Sequence, residues 1–400
     1  MKRLRVVPSA CLVPGLVLLG SLVPRDAAAQ SLFSGYTFGT PIEVGDARAV
    51  ALGSVGIGLG GTSYSPHDPA AAVHIAFPSV LFTSQTTWAD VVRDGVTSDH
   101  TASRFPNIGI VYPIPRIGTV SASFTGVLDQ NYQASEERTE ILQESGTQIR
   151  VTDLFASDGG VSALRFGFAR RLTPSISVGV NAGTYLGDLT RRFARTFDSI
   201  PVASEVPDYQ VGGNWEYSGA HAAVGAAMEI PGVARIAGSV TWGGTLSADP
   251  SRTTVGAGVE LDMPLEYRVG GTAILSERLF FNAGFHFGAF GDAASNLDGV
   301  EGATMRRYGA GLEWAGLSLL GKSSALRFGY RRGNMPFRVT GQGNITESIF
   351  GAGLGLELVQ GPAGSILAES DFAFEWGNRD SSFLQEDFLR MSISLRISGF

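Results

Sequence analysis

Residues 389–398 read LRMSISLRIS, and apolar and polar side chains alternate at every position of this stretch. Leucine, methionine and isoleucine take the odd positions, whereas arginine and serine take the even ones. Because successive side chains of a β-strand point to opposite faces, one face of this segment is apolar and the other is polar. The stretch therefore predicts a strand that lies between an apolar environment and a polar one.

The same period of two recurs along the chain from residue 78 onward. Residues 176–183 read ISVGVNAG, and residues 279–288 read LFFNAGFHFG. The strand-like segments are centred near residues 82, 109, 122, 166, 179, 221, 238, 267, 283, 308, 328, 351, 371 and 393. These repeats predict an all-β chain of about fourteen antiparallel strands.

The connections between these segments alternate between long and short. Long connections cover residues such as 129–160 and 187–212, whereas residues 113–116 and 231–232 form short ones. Barrels of the outer-membrane type have brief turns on the periplasmic side and large loops on the outer side. A soluble β-sandwich has no reason to place every long loop at one end. The alternation therefore favours a transmembrane barrel, and an even strand number places both termini in the periplasm.

Composition supports a membrane barrel. Hydrophobic residues make up 44% of the chain and charged residues only 17%, against about 25% charged residues in ordinary soluble domains. No stretch beyond the N-terminus has the eighteen apolar residues of a membrane helix. Trp88, Trp242, Trp314 and Trp376 lie where a strand meets a connection, as the aromatic girdle of a barrel requires.

Residues 1–29 have the pattern of a secretory signal peptide. Lys2, Arg3 and Arg5 precede an apolar core, and three alanines at 27–29 form the cleavage site. The only cysteine, Cys11, lies within this segment. The mature protein is therefore expected to begin at Gln30 and to contain no disulfide.

Charge and motifs exclude several classes of function. Residues 1–29 hold four of the 30 basic and one of the 37 acidic residues, so the mature net charge is −10 and argues against nucleic acid. No Gly-x-Ser-x-Gly nucleophile motif and no His-Glu-x-x-His metal motif occur. Gly56, Gly58 and Gly61 match a dinucleotide-binding spacing but lack the surrounding βαβ unit. We expect no enzyme activity, no cofactor and no metal.

Residues 30–77 do not alternate and are rich in glycine, alanine and serine. A barrel of about fourteen strands leaves a lumen that is open to water unless something fills it. We therefore predict three parts: a signal peptide at 1–29, an N-terminal plug or hatch in the lumen at 30–77, and the barrel at 78–400.

This N-terminal region resembles that of the long-chain fatty-acid transporter (FadL) family of outer membranes and its PorV-like relatives. Family members have an Ala-Arg-Ala-Leu-Gly-like run, a glycine-rich stretch and an Asn-Pro-Ala motif before the first strand. Residues 47–53 read ARAVALG, a glycine-rich stretch follows at 56–61, and Asp68, Pro69 and Ala70 stand at the place of the motif. The C-terminal third is also similar, with FGYRRG at 328–333. Asp68 departs from the family's asparagine.

The resemblance implies passive transport of a hydrophobic or amphipathic small molecule, such as a long-chain fatty acid, across the bacterial outer membrane. Outer-membrane lipids, the transported ligand and the barrel assembly machinery are then the expected partners. Some relatives instead serve as structural or secretion-linked barrels with protein partners, and this remains the alternative.

Two sets of residues are candidates for the functional site. Asp46, Arg48, Asp68, Pro69 and Ala70 are the candidates for holding or gating the hatch. Arg48 could attract the carboxylate head of an amphipathic substrate, or it could pair with Asp46 or Asp68 and hold the plug.

The second set faces the lumen, because a cation toward lipid at mid-bilayer would cost about 2–4 kcal/mol. Arg165, Arg327 and Arg331 are candidate ligand contacts on this argument, and His286 is a further candidate because it falls on the polar face of its strand. The arginines could equally pair with acids such as Asp371 or Glu375 and hold the plug.

Overall fold

The computed structural model describes residues 31–43, 45–93, 96–141, 148–198, 208–254, 256–295, 297, 299–319, 321–361 and 366–399. The predicted signal peptide, residues 1–29, lies outside the described residues. In the described part, no helix is long and apolar enough to cross a membrane.

Fourteen antiparallel strands form a closed barrel, as the sequence predicts. The strands are β1 (Ser79–Arg93), β2 (Val96–Ile114), β3 (Gly118–Asp129), β4 (Gln148–Arg171), β5 (Ile176–Asp198), β6 (Tyr209–Ile230), β7 (Ala234–Trp242), β8 (Glu266–Ser276), β9 (Leu279–Ala289), β10 (Thr304–Leu319), β11 (Lys322–Asn334), β12 (Thr346–Gln360), β13 (Ile366–Asp380) and β14 (Gln385–Ser398). Each pairs with its neighbours in the chain, and β14 returns to β1 with Leu395 opposite Phe82.

The alternation in β14 has the predicted orientation. Its arginine and serine side chains are buried, whereas the apolar side chains between residues 389 and 397 are at least partly exposed on the outside of the barrel. The exterior of the other strands is also apolar, with Phe166, Phe328 and Phe350 about 60% exposed. A closed barrel has no free strand edge, so its backbone polar groups are satisfied without water. An apolar exterior on such a barrel is the surface of an outer-membrane protein.

Strands β4, β5 and β6 are much longer than a membrane crossing requires. They contain 24, 23 and 22 residues, whereas about 9–11 residues cross the bilayer. Additional strands Tyr132–Ile141, Thr245–Pro250 and Val259–Asp262 extend this side of the barrel into a projecting sheet. The prediction of loops over 129–160 and 187–212 was therefore wrong for much of both stretches. These segments pair with one another beyond the lipid, where an apolar outer face is no longer required.

The N-terminal segment (residues 31–77) contains three short helices: α1 (Phe33–Tyr36), α2 (Ala47–Ala51) and a 3-10 helix, Pro69–His74. A two-residue strand, Thr40–Pro41, pairs with β3. Most side chains of the segment are buried. Further short strands, Val300–Gly302 and Phe337–Val339, pair with each other between barrel strands.

Candidate functional site

Arg48 joins the N-terminal segment to the inner face of the barrel. Its guanidinium donates to both carboxylate oxygens of Glu313 on β10, at 2.7 and 2.9 Å, and to the carbonyl oxygen of Gly60 at 2.7 Å. Arg48 therefore pairs with neither Asp46 nor Asp68, the two possible partners that the sequence offered. Both acids are engaged elsewhere, and Glu313 lies 265 residues away in the chain, beyond the reach of motif-based reasoning.

Asp46 and Asp68 each organise a different part of the segment. Asp46 caps α2 by accepting from the amide of Ala49 at 2.8 Å, and it also accepts from the Ser63 hydroxyl at 2.9 Å. A carboxylate at this position satisfies an amide that the first helical turn leaves without a partner. Asp68 instead forms a buried ion pair with Arg235 of β7 at 2.8 Å.

Pro69 and Ala70 begin the 3-10 helix and lie directly against strand β5. A Cβ atom placed on Gly179 of that strand would lie 2.3 Å from the Pro69 carbonyl oxygen. A glycine in the wall therefore lets the backbone of the segment touch the backbone of the barrel. The predicted candidates of the N-terminal segment thus all lie where it meets the wall or its own folded core.

Glycine is also required within the segment itself. Gly53 and Gly58 have φ angles of +62° and +82°, in the left-handed region that other residues rarely adopt. A Cβ atom on Gly58 would lie 2.3 Å from the carbonyl carbon of Gly270 in β8, and one on Gly53 would lie 2.6 Å from the carbonyl oxygen of Tyr330. The glycines therefore supply close packing as well as backbone freedom, and no nucleotide site is needed to explain them.

An internal cavity lies between the N-terminal segment and strands β3 to β10. It measures about 70 Å³, which is room for a few water molecules. Its apolar lining includes Val55, Leu128, Met263, Phe290 and Met305. A cavity with both apolar walls and charged groups suits an amphipathic molecule.

Two arginines that line the cavity use only some of their guanidinium N–H groups in hydrogen bonds to the described residues. Arg165 is 6% exposed and contacts the Thr125 hydroxyl, and among the described residues no carboxylate pairs with it. Arg268 donates to Glu266 at 2.9 Å, but its Nε and Nη1 atoms lack partners among the described residues. Buried N–H groups without acceptors are costly, and an anionic ligand would satisfy them.

The remaining charges of the cavity leave a cationic excess. Glu266 is shared between Arg268 and His286, whose Nε2 lies 2.6 Å from the carboxylate. Arg307 pairs with Glu43 of the N-terminal segment. Burial, followed by the nearby Arg268 guanidinium, lowers the pKa of His67 in the same segment well below its usual value. Three arginines therefore face two carboxylates in the lining of the cavity, so the cavity favours an anion.

Burial opposes ionisation of Glu43, yet the charges of Arg331 and Arg307 outweigh it and lower the pKa of this carboxyl. Glu43 is therefore ionised at neutral pH and contributes one of the two negative charges of the cavity. The ion pair between Glu43 and Arg307 also joins the N-terminal segment to β10.

Arg327 and Arg331 lie away from the cavity, in a network of ion pairs on the inner wall. Arg327 contacts Glu313 at 2.6 Å and Asp371 at 2.5 Å, and Arg331 contacts Glu375 at 3.3 Å. Asp371 and Glu375 are the acids that the sequence offered as alternative partners, whereas Glu313 was not among them. Arg165 and His286 line the cavity, whereas the other two candidates are neutralised by neighbouring carboxylates.

On the projecting sheet, above the cavity, the inward face carries apolar side chains. Phe155 and Phe193 stand opposite each other on β4 and β5 with ring centroids 5.0 Å apart, and Val211 of β6 follows in the same row. Phe155 and Val211 are 40% and 48% exposed. They form an accessible apolar surface at the outer end of the barrel.

The sequence did not single out Arg235, Arg268, Glu266 or Glu313. Each lies on the inward parity of its strand, as Arg235 does beside the outward-facing Ile236. Parity could therefore have marked them as inward-facing, but not as partners of the N-terminal segment. No group of three metal-ligating side chains occurs among the residues that the structure describes.

Comparison with solved structures finds the same fold in outer-membrane channels. A FadL homologue from Pseudomonas aeruginosa matches with a TM-score of 0.58 and 10% identity, over 90% of this chain and 99% of that one. The toluene transporter TbuX of Ralstonia pickettii matches with a TM-score of 0.56 and 14% identity, over the same shares. The monoaromatic hydrocarbon channel CymD gives 0.55 and 12%, over 90% and 98%.

No protein-family model matches the chain, and no match is found among curated proteins. At 10–14% identity the structural likeness establishes the fold. The chain has a FadL-like barrel, as its sequence resemblance implied. Function has to be argued from the site itself.

Proposed function

We propose that this chain is a passive outer-membrane channel for amphipathic small molecules with an apolar body and an anionic head, such as a long-chain fatty acid. The observation that carries the proposal is the cavity with apolar walls in which Arg268 has two nitrogen atoms without partners and Arg165 has no carboxylate partner among the described residues. An uncharged hydrocarbon would leave these guanidinium groups unsatisfied. A carboxylate would accept from them in charge-assisted hydrogen bonds.

The N-terminal segment serves as the hatch in this proposal. A cavity of about 70 Å³ accommodates a carboxylate head but not a long acyl chain. Passage therefore requires the segment to move away from the wall. Arg48 and Glu43 hold it through ion pairs to β10, and Asp68 holds it through an ion pair to β7, so these three contacts set the cost of opening.

A route follows from the apolar surfaces. Phe155, Phe193 and Val211 capture the hydrophobic body at the outer end, and the cavity then receives the head group. Movement would follow the concentration gradient, since the sequence offers no nucleotide-binding unit to couple it to hydrolysis. The similar structures include channels described for toluene and for monoaromatic hydrocarbons, which share the hydrophobic part of this substrate class.

Uptake of labelled oleate into proteoliposomes tests the proposal, with labelled toluene as the uncharged comparison. Arg165→Gln removes the cavity arginine that has no carboxylate partner among the described residues, and Arg170→Gln on the exposed end of the same strand is the matched control. Hydrogen bonds to charged groups contribute about 1.5–3 kcal/mol. Arg165→Gln should therefore weaken oleate binding by about tenfold to a hundredfold, while toluene uptake and the Arg170→Gln variant stay unchanged.

Equal oleate uptake by protein-containing and protein-free liposomes would contradict the transport proposal. Equal affinity for oleate of the Arg165→Gln variant and the unmodified protein would contradict the proposal that the substrate has an anionic head. Recovery of a stable protein partner from solubilised membranes, with no lipid ligand bound, would favour the secretion-linked alternative.

A further inference from the structure

The outward faces of five neighbouring strands change from apolar to polar within a single two-residue step. The apolar row consists of Tyr330, Phe350, Trp376, Leu389 and Trp88, which face one another across β11, β12, β13, β14 and β1. The polar row, two residues further along each strand, consists of Arg332, Ser348, Asn378, Asp387 and Asp90. Such a step spans about 7 Å and marks the border between lipid tails and head groups.

The polar row lies on the outer side of the membrane. In β11 and β12 the polar row lies near the ends that are joined by the longer connection, which contains Phe337–Val339. The turn at the opposite end of β11 is short. Long connections lie on the outer side of such barrels. The head groups at this border therefore belong to the outer leaflet.

A groove of about 650 Å³ lies across this border on the outside of the barrel. Trp88, Phe350 and Trp376 form its apolar side, and Ser348, Asn378 and the acids Asp90 and Asp387 form much of its polar side. Both tryptophans are well exposed, at 39% and 54%. Flat aromatic surfaces at this depth suit the faces of sugar rings and the upper parts of acyl chains.

Two arginines stand at one end of the groove. Arg332 lies directly opposite the groove residue Ser348, and Arg306 is its diagonal neighbour through Tyr308. Both side chains are exposed, and neither makes a side-chain hydrogen bond or ion pair within the described residues. Two like charges a diagonal step apart repel each other unless an anion lies between them.

We propose that this groove and arginine pair bind the head group of a bis-phosphorylated glycolipid of the outer leaflet, with lipid A chemistry. One phosphate lies between Arg306 and Arg332, and the sugar rings lie over the tryptophans. The inference rests on the outer-membrane location in the proposed function but not on transport. Surface cations attract anionic lipids by about 1 kcal/mol each, which is about fivefold per residue.

The acidic end of the groove requires a divalent cation. Asp90 and Asp387 lie directly opposite each other on β1 and β14, and both side chains are exposed. These carboxylates would repel the second phosphate of the lipid. Magnesium or calcium coordinates both carboxylate and phosphate oxygens. Binding of the glycolipid should therefore depend on divalent cations as well as on the arginines.

Titration of the detergent-solubilised full-length protein with bis-phosphorylated lipid A, in magnesium, tests the inference by native mass spectrometry. The double variant Arg306→Gln/Arg332→Gln should lose about twenty- to thirtyfold in affinity. The matched control, Arg170→Gln/Arg278→Gln, removes two exposed arginines at the opposite end of the barrel and should bind as the unmodified protein does. Heat-dependent migration on gels checks that every variant is folded.

Chelation of magnesium should weaken binding to the unmodified protein, and Asp90→Asn/Asp387→Asn should abolish that dependence. Unchanged affinity in the Arg306/Arg332 variant, or an equal loss in the control, would overturn the inference. Equally tight binding of phosphatidylglycerol would overturn the glycolipid assignment. None of these results depends on oleate uptake, so failure here is distinguishable from failure of the transport proposal.

Discussion

Replacing Asp68 by the asparagine of the resembling family should loosen the N-terminal segment in this chain. Asp68 accepts from Arg235 at 2.8 Å and from the Gly58 amide at 3.1 Å, and the paired side chains are only 4% and 5% exposed. In Asp68→Asn, the charge of Arg235 is left with the Leu59 carbonyl oxygen at 3.2 Å. Breaking one side of a buried ion pair costs about 3–5 kcal/mol.

Hydrogen exchange of amides 46–70 measures this cost directly, since local opening exposes them without unfolding the barrel. Each 1.4 kcal/mol changes an equilibrium tenfold, so exchange should accelerate by between about a hundredfold and several thousandfold. The double variant Asp68→Asn/Arg235→Gln removes both charges. It should recover a substantial part of the protection, because no uncompensated charge remains.

Asp153→Asn is the matched control. Asp153 also pairs with arginine, at 2.6 Å to Arg195, but it lies on the projecting sheet away from residues 46–70. Exchange of these amides should therefore be unaffected. Unaltered exchange in Asp68→Asn would refute the assignment of Asp68 and Arg235 as a coupled anchor. The assignment would also fail if the double variant lost as much free energy of protection as the two single variants together.

Gly58→Ala should speed proteolysis of the N-terminal segment, since φ of +82° costs about 1–2 kcal/mol for alanine and the new Cβ would lie 2.3 Å from Gly270. Gly60→Ala, whose nearest contact would be 3.8 Å, should not. The lowered pKa of Glu43 means that its pair with Arg307 stabilises docking above the ordinary pKa of 4.5 and is lost as pH falls through the folded value. The protection factors of the amides of residues 40, 42 and 43, which are corrected for the intrinsic pH dependence of exchange, should therefore fall in acid, and the Glu43→Gln variant should lack this fall.

The parity of the strands was predictable because it is a local property. Alternation with period two decides which side chains face outward, and the cost of a charge in lipid assigns Arg165, Arg327 and Arg331 to the inner face. Fourteen repeats were enough to predict the strand number. The lengths of β4, β5 and β6 could not be predicted, because strands that pair beyond the membrane do not need an apolar outer face.

Contacts across the barrel were decided only by the tertiary structure. Arg48 and Asp68 are recognisable as motif residues, but their partners Glu313 and Arg235 lie 265 and 167 residues away. The parity of the strands predicts that Glu313 and Arg235 face inward, but it does not predict which segment of the chain each of them contacts. The charge of the cavity was likewise decided by the tertiary structure, because the strand register brings no described carboxylate into an ion pair with Arg165. A repeating local pattern thus determined the barrel, whereas the register and closure of fourteen strands decided its charged interior.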